Sequence, residues 1–400
     1  MSTSPATSTS PAPRAAIFAL GFRPFFLGGS VFAIITMVLW IGVWRYSLPL
    51  NFSVVSPSLW HAHELIYGYT VAVIAGFLLT AVRNWTGMST PTGVGLAALF
   101  LCWALARIAF FFGDVYLRVA ALFDLCFFVA LIVSVALPIV AARQWRQLAI
   151  LSKLVLLGAG NALFYSGALG FTEGGVRWGV YAGLYLIIGL ILVMGRRVIP
   201  SFIETGVGYS VVLKNRRWLD LASMALFMLF FVVEVFTSSQ WLGAWLAVAL
   251  FSLHAVRAVG WHTPGIWRKP LLWSLYCAYL FIVSGFALHA LGVFSSAVSP
   301  VLAVHAFAVG GGGLMTISMM SRVSLGHTGR NVHAAPGMLS SVFVLLVIAF
   351  TARVLLPAVD MQHYLLWLLL AALAWVLGFT MFVLIFLPVL VRPRVDGRRG

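Results

Sequence analysis

Long apolar runs separated by short polar loops restrict the fold of this chain more than any other feature. An α-helix needs about 20 apolar residues to cross a bilayer. Only 8% of the residues are charged and the mean hydropathy is +1.05, whereas about 25% are charged in a soluble domain. The sequence therefore predicts an all-α fold, a polytopic membrane helical bundle of about 12 transmembrane helices. The predicted spans are residues 25–45, 59–82, 93–113, 118–141, 148–170, 176–195, 217–238, 240–259, 270–292, 300–321, 338–356 and 364–391.

The spans define one transmembrane domain, residues 25–391, between two tails. Residues 1–24 form an N-terminal tail that we expect to be disordered and cytoplasmic, and residues 392–400 form a basic cytoplasmic tail. Residues 1–13 carry no charged side chain, so they lack the basic start of a cleaved signal peptide. An uncharged polar turn at residues 237–240 must separate the seventh and eighth spans.

The basic residues predict the orientation of the helices. The formal net charge is +16, but lysines and arginines occur mostly singly in short loops, where they anchor helices rather than bind nucleic acid. Loops on one side hold nearly all of them, and the other side has only Arg45, Arg118, Arg177 and Arg353. The positive-inside rule then places both termini in the cytoplasm.

Four histidines are expected near the outer face. His61 and His63 open the second span together with Glu64, His289 ends the ninth span, and His305 lies about two turns into the tenth. Ionisable groups at membrane depth are costly, and they usually mark a functional site. Because imidazole suits iron and copper, the pattern favours a metal or haem site. The alternative is that single histidines pack, or relay protons.

The spacing of the residues in the second span limits how they can act. His61 and His63 lie about 200° apart around a helix, so they cannot both face one centre unless the helix begins between them. His61 and Glu64 share a face, as do His63 and Tyr67. Two adjacent centres, or one ligand and one structural histidine, both fit this geometry.

Other ionisable residues lie at a similar depth. Arg107, Asp124 and Glu234 fall in the outer parts of their spans, and because a buried charge needs a partner, we expect Arg107 to pair with Asp124. Glu64 is then left to orient a histidine or to accept a proton. His254 lies toward the cytoplasmic end of the eighth span, where we interpret it as an interfacial histidine near tryptophans.

The tenth span contains four glycines and ends in a polar turn. Residues 310–313 allow close approach of another helix or of a flat macrocycle. His327 and Arg330 in the turn could bind a haem propionate or a lipid phosphate, or could cap the helix. Met315 and Met319 share a face and suit copper, although methionine is also an ordinary packing residue.

Pro200 and the arginines before it mark the end of the sixth span. We expect Pro200 to stop the helix and Arg196 and Arg197 to anchor it at the inner interface.

Several motifs of this chain resemble those of the NnrS family of multi-span membrane proteins. The resemblance extends from about residue 21 to the last span. The motifs are GFRPFFL (residues 21–27), WHAHE (60–64), AGFLLTAVRNWTG (75–87), GRRVIPSF (195–202) and SRVSLGHTGR (321–330).

The resemblance implies a haem and copper protein of the bacterial inner membrane that acts in nitric-oxide response, supporting denitrification or tolerance of nitrosative stress. Its chemistry would be binding of nitric oxide or a redox reaction, with an electron donor that the sequence does not indicate. We expect His61, His63, His289 and His305 to be the metal ligands and Glu64 to support them. His327 and Arg330 are further cofactor-binding candidates.

A transporter is the alternative function. In a proton-coupled secondary transporter, His61, His63 and Glu64 would relay protons. Such a protein usually shows matching helix breaks in its two halves. The glycines at residues 310–313 are one such break, and the other half of the sequence has no clear counterpart.

Overall fold

Twelve helices are long and apolar enough to cross a membrane in the part of the chain that the structure, a computed structural model, describes, which is residues 16–48 and 53–397. This result confirms the predicted all-α bundle. The seventh and eighth spans are separate helices joined through residues 237–239, as predicted. The helices are Phe22–Tyr46, Pro57–Thr86, Gly93–Phe111, Asp114–Ala141, Trp145–Ala168, Gly175–Gly206, Arg217–Phe236, Gln240–Trp261, Pro270–Phe294, Pro300–His327, Leu339–Val359 and Tyr364–Val391.

The two ends of the described chain lie at the same end of the bundle. The N–H of Ala16 donates to the carbonyl of Val391 at 2.8 Å. Buried Arg23 donates from Nη1 to the carbonyls of Leu390 and Arg392, at 2.8 and 2.7 Å. The last carbonyls of a helix lack intrahelical partners, so Arg23 caps the twelfth span.

The predicted tail of residues 1–24 is too long at its C-terminal end. The first helix begins at Phe22, and the packed arginine of its first turn explains why the fold continues beyond the apolar run. Residues 1–15 lie outside the described residues, as do residues 398–400 of the predicted C-terminal tail. In the rest of that tail, Arg394 donates to the carbonyl of His327 at 2.7 Å.

The prediction that Pro200 ends the sixth span is wrong. The helix runs from Gly175 to Gly206 with Pro200 inside it. Proline removes one backbone hydrogen bond, but membrane helices tolerate it when neighbouring helices pack around the break. Ile199 and Ile203 are both buried, so packing extends the helix past the proline.

The second, sixth and tenth spans are the most deeply buried of the described helices. Two of them contain a π-helical segment, Glu64–Thr70 and Ala306–Gly313, and the eleventh span contains a third, Thr351–Leu355. A π-helical turn changes the direction of the side chains around it and is frequent at functional sites. His63 and His305 come directly before such segments, His61 lies two residues before His63, and Arg353 lies within the third segment.

The glycines of residues 310–313 allow close packing against neighbouring side chains. A Cβ atom at Gly310 would lie 2.5 Å from the Phe350 ring and 2.7 Å from Cβ of Phe281, and a Cβ at Gly313 would lie 2.5 Å from the Trp375 ring. The rings of Phe281 and Phe350 stack 3.7 Å apart. Aromatic side chains therefore occupy the space beside these two glycines.

We expect Gly310→Ala to lower the free energy of unfolding by about 1–3 kcal/mol, the usual cost of overpacking. The matched control is Gly312→Ala, because a Cβ at Gly312 meets only the Phe307 carbonyl oxygen, at 3.5 Å. Thermal unfolding of both variants in one detergent measures the difference. Equal midpoints would contradict the packing role of Gly310.

Candidate functional site

His61 and His305 both lie at the end of the bundle opposite the chain ends. His305 lies close enough to His61 and to Arg353 for electrostatic interaction with both. The His61 ring stacks on Trp40, with centroids 4.5 Å apart and planes 18° apart. Trp40 therefore fixes the plane of the His61 imidazole.

Each of these two histidines has a ring nitrogen that is available to a ligand. Nδ1 of His61 is buried and makes no hydrogen bond within the described part of the chain. Nδ1 of His305 donates to the Val301 carbonyl at 2.8 Å, so Nε2 of the neutral ring keeps its lone pair. Metal-binding histidines commonly donate their other ring nitrogen to a backbone carbonyl in this way.

Arg353 adds a positive charge to this pair. Its guanidinium lies over the Tyr364 ring, 5.7 Å from the centroid. Its buried Nη1 has no hydrogen-bond partner among the residues that the structure describes. A buried donor without a partner is costly, which points to an anionic or oxygen-bearing group at this position.

His63 points away from His61 into a separate buried cluster. Its Nδ1 lies 2.9 Å from Oε1 of Glu64, and its Nε2 lies 2.9 Å from Oδ1 of Asn161. Arg107 forms ion pairs with both Glu64 and Asp124. The predicted pairing of Arg107 with Asp124 is therefore confirmed, and Glu64 contacts His63 rather than His61.

One added proton would make this cluster electrically neutral. Arg107 carries one positive charge against the two carboxylates of Glu64 and Asp124, which are 1% and 0% exposed. Both nitrogens of His63 face oxygen atoms, so with the Asn161 amide in this orientation the contacts require a proton between His63 and Glu64. Buried charges persist when they are paired in this way.

The ring of His289 also has its own acidic partner. Its Nε2 lies 3.0 Å from Oε1 of Glu234, and its ring meets Phe230 edge to face at 5.2 Å. The four predicted ligands therefore fall into three places. Within the described residues, no group of three or more His, Cys, Asp or Glu side chains is arranged to hold a metal ion.

His327 and Arg330 lie at the other end of the bundle. His327 ends the helix that begins at Pro300, so it lies about 33 Å from His305 along the axis at a rise of about 1.5 Å per residue. It packs against Phe22, with centroids 5.9 Å apart. A cofactor held by His305 is too far away for these two residues to contact.

His254 is buried among the helices of the bundle. It is 1% exposed, and its Nδ1 lies 2.6 Å from the Tyr279 hydroxyl. Beside it, Arg257 pairs with Asp220 at 2.8 Å. Asp220 also pairs with Arg196 at 3.2 Å. These paired charges make it possible to bury a histidine near the end of its span.

Two residues of the site were not selected from the sequence. Arg353 was counted as a loop residue, although it falls within the predicted eleventh span at the depth of His305. Asn161 lies in the middle of the fifth span. In both cases the available signal was a polar side chain inside an apolar run.

Met315 and Met319 pack in the hydrophobic core of the bundle. This position fits their alternative interpretation as packing residues.

The comparison with known proteins agrees with the motifs and the fold. No curated protein matches this sequence. The family model described as NnrS protein matches residues 16–394, which include every span and every candidate residue described above. The chain therefore belongs to the NnrS family of membrane proteins.

Proposed function

We propose that this chain is a haem- and copper-containing protein of nitric-oxide response in the bacterial inner membrane, and that His61 and His305 hold the haem iron. The observation that carries the proposal is the placement of these two imidazoles within electrostatic range of each other and of Arg353, each with a ring nitrogen that makes no hydrogen bond to a described residue. The family membership supports it.

The number of available ligands favours haem over copper at this pair. A haem macrocycle supplies four nitrogen donors, so two histidines complete the coordination of its iron. Copper bound by protein alone usually takes three or more donors, and the described residues provide no such group. Copper remains part of the proposal, and His63 or His289 would bind it only after leaving the carboxylate that it now contacts.

The surrounding residues have separate tasks in this proposal. Haem iron with two protein ligands supplies electron transfer. Trp40 keeps the His61 ring in one plane, and the Val301 carbonyl selects the tautomer of His305. Arg353 would pair with an anionic group of the cofactor, such as a propionate. A small apolar gas reaches such a site through the lipid, so a polar entrance is not needed.

The test is the absorption spectrum and the metal content of the full-length protein, purified in detergent from cells supplied with a haem precursor and copper. We expect a Soret band, with iron and copper in fixed ratios to protein. Loss of nitric-oxide tolerance in cells without the protein, restored by its expression, would support the physiological role. Folded protein without colour or metal would contradict the proposal.

Proton-coupled transport is the second candidate function, favoured by the buried contact between His63 and Glu64, two groups that can exchange a proton. A transporter must expose its proton-binding residues to each side in turn. Proton uptake into proteoliposomes by colourless, metal-free protein would support transport over the haem proposal.

A further inference from the structure

A basic cavity of about 160 Å³ opens at the end of the bundle that holds both chain ends. It lies between the end of the sixth span, the start of the ninth and the end of the tenth. Its basic lining residues are Arg268, Lys269 and Arg322, and His333 in the following loop also faces it. Since a water molecule takes about 30 Å³, the cavity has room for a polyatomic ligand.

The positive charge of this cavity is not compensated by acids. No lining residue is an Asp or Glu. Among the ion pairs formed by described residues, none involves Arg268, Lys269 or Arg322. The guanidinium of Arg322 lies 3.6 Å from the centre of the Phe202 ring, a cation–π contact that holds it in place but leaves its charge unpaired.

Two further features favour a phosphate group at this depth of the membrane. The ninth span begins at Pro270, a lining residue, so the positive end of its helix dipole lies at the wall of the cavity. Trp267 is 50% exposed beside Arg268, and exposed tryptophans typically lie at the level of the lipid headgroups.

We propose that this cavity binds the phosphate group of an anionic ligand, either a lipid headgroup or free inorganic phosphate. Ordinary anchoring at the membrane face explains loop residues such as Arg268 and Lys269. It does not explain Arg322, which lies within the helix of the tenth span and lines the cavity together with two other cations.

The experiment uses the full-length protein in detergent. Native mass spectrometry measures binding of phosphatidylglycerol and of phosphatidylcholine, and calorimetry measures binding of inorganic phosphate. The variants are Arg322→Gln and the surface variant Arg268→Gln/Lys269→Gln. The matched control is Arg146→Gln, an exposed basic residue of a separate loop on the same side. Removing one cation should weaken binding of phosphatidylglycerol about fivefold, and the control should leave it unchanged.

The outcomes separate the two sources of phosphate. Retention of phosphatidylglycerol with no heat from inorganic phosphate supports a lipid headgroup, and competition by inorganic phosphate supports the free anion. Equal affinity for both lipids together with no heat from inorganic phosphate, or an equal loss in the cavity variants and in Arg146→Gln, would overturn the proposal.

Discussion

Replacing Arg107 with methionine is expected to lower the free energy of unfolding by about 3–5 kcal/mol, the cost of removing one partner from a buried ion pair. Arg107 contacts Glu64 and Asp124 at once. Without it, two carboxylates remain in a site where both are almost completely buried. One proton between His63 and Glu64 is then insufficient for neutrality, because Asp124 keeps an unpaired charge.

The position of the cluster makes this effect larger than that of an ordinary ion pair. Its members come from four spans, since Glu64 lies in the second, Arg107 in the third, Asp124 in the fourth and Asn161 in the fifth. Tyr165 adds a hydrogen bond to Asp124 at 3.1 Å. The loss of Arg107 therefore weakens contacts between several helices.

Thermal and denaturant unfolding in detergent measures the effect against Arg118→Met. Arg118 is an exposed arginine of the fourth span, so its replacement should change stability by less than about 0.5 kcal/mol. The triple variant Glu64→Gln/Arg107→Met/Asp124→Asn also neutralises both acids. It should recover part of the free energy of unfolding that Arg107→Met loses. If Arg107→Met were as stable as Arg118→Met, the cluster would have no structural role.

The sequence predicted the depth of each polar residue better than its direction. Arg107 and Asp124 were paired correctly because span boundaries give the position of a residue along the membrane normal, and two opposite charges at one depth need each other. Whether His289 contacts His305 depends instead on how the ninth and tenth spans are rotated about their own axes. Apolar runs that are hydrophobic all round carry little information about that rotation.

The partner of Glu64 also differs from the one that the spacing suggested. His61 and Glu64 share a helical face by spacing, and a π-helical segment begins at Glu64. Glu64 meets His63 and Arg107 instead. The divergence of His61 and His63 was predicted correctly, because the two residues lie in the regular helical turn before the segment.

Loss of haem from both His61→Phe and His305→Phe is the second large effect that we expect. Replacing a residue that only supports a ligand lowers metal affinity about 10–100-fold, so removing a ligand itself should lower haem affinity at least that much and reduce the haem content of the purified protein. Phenylalanine keeps a flat ring that can still stack on Trp40, so the packing beside His61 changes little. The stability of the folded protein should therefore change far less than its colour.

The Soret absorbance per protein and the iron content measure this effect, with His363→Phe as the matched control. His363 lies just before the twelfth span, at the same end of the bundle as His61 and His305, and its side chain is 62% exposed. His63→Phe and His289→Phe should keep their haem if they fold, because each ring contacts a carboxylate instead of the pair. The opposite result would be haem that is kept in His61→Phe and His305→Phe but lost in His63→Phe or His289→Phe. That result would place the haem at His63 or at His289 instead.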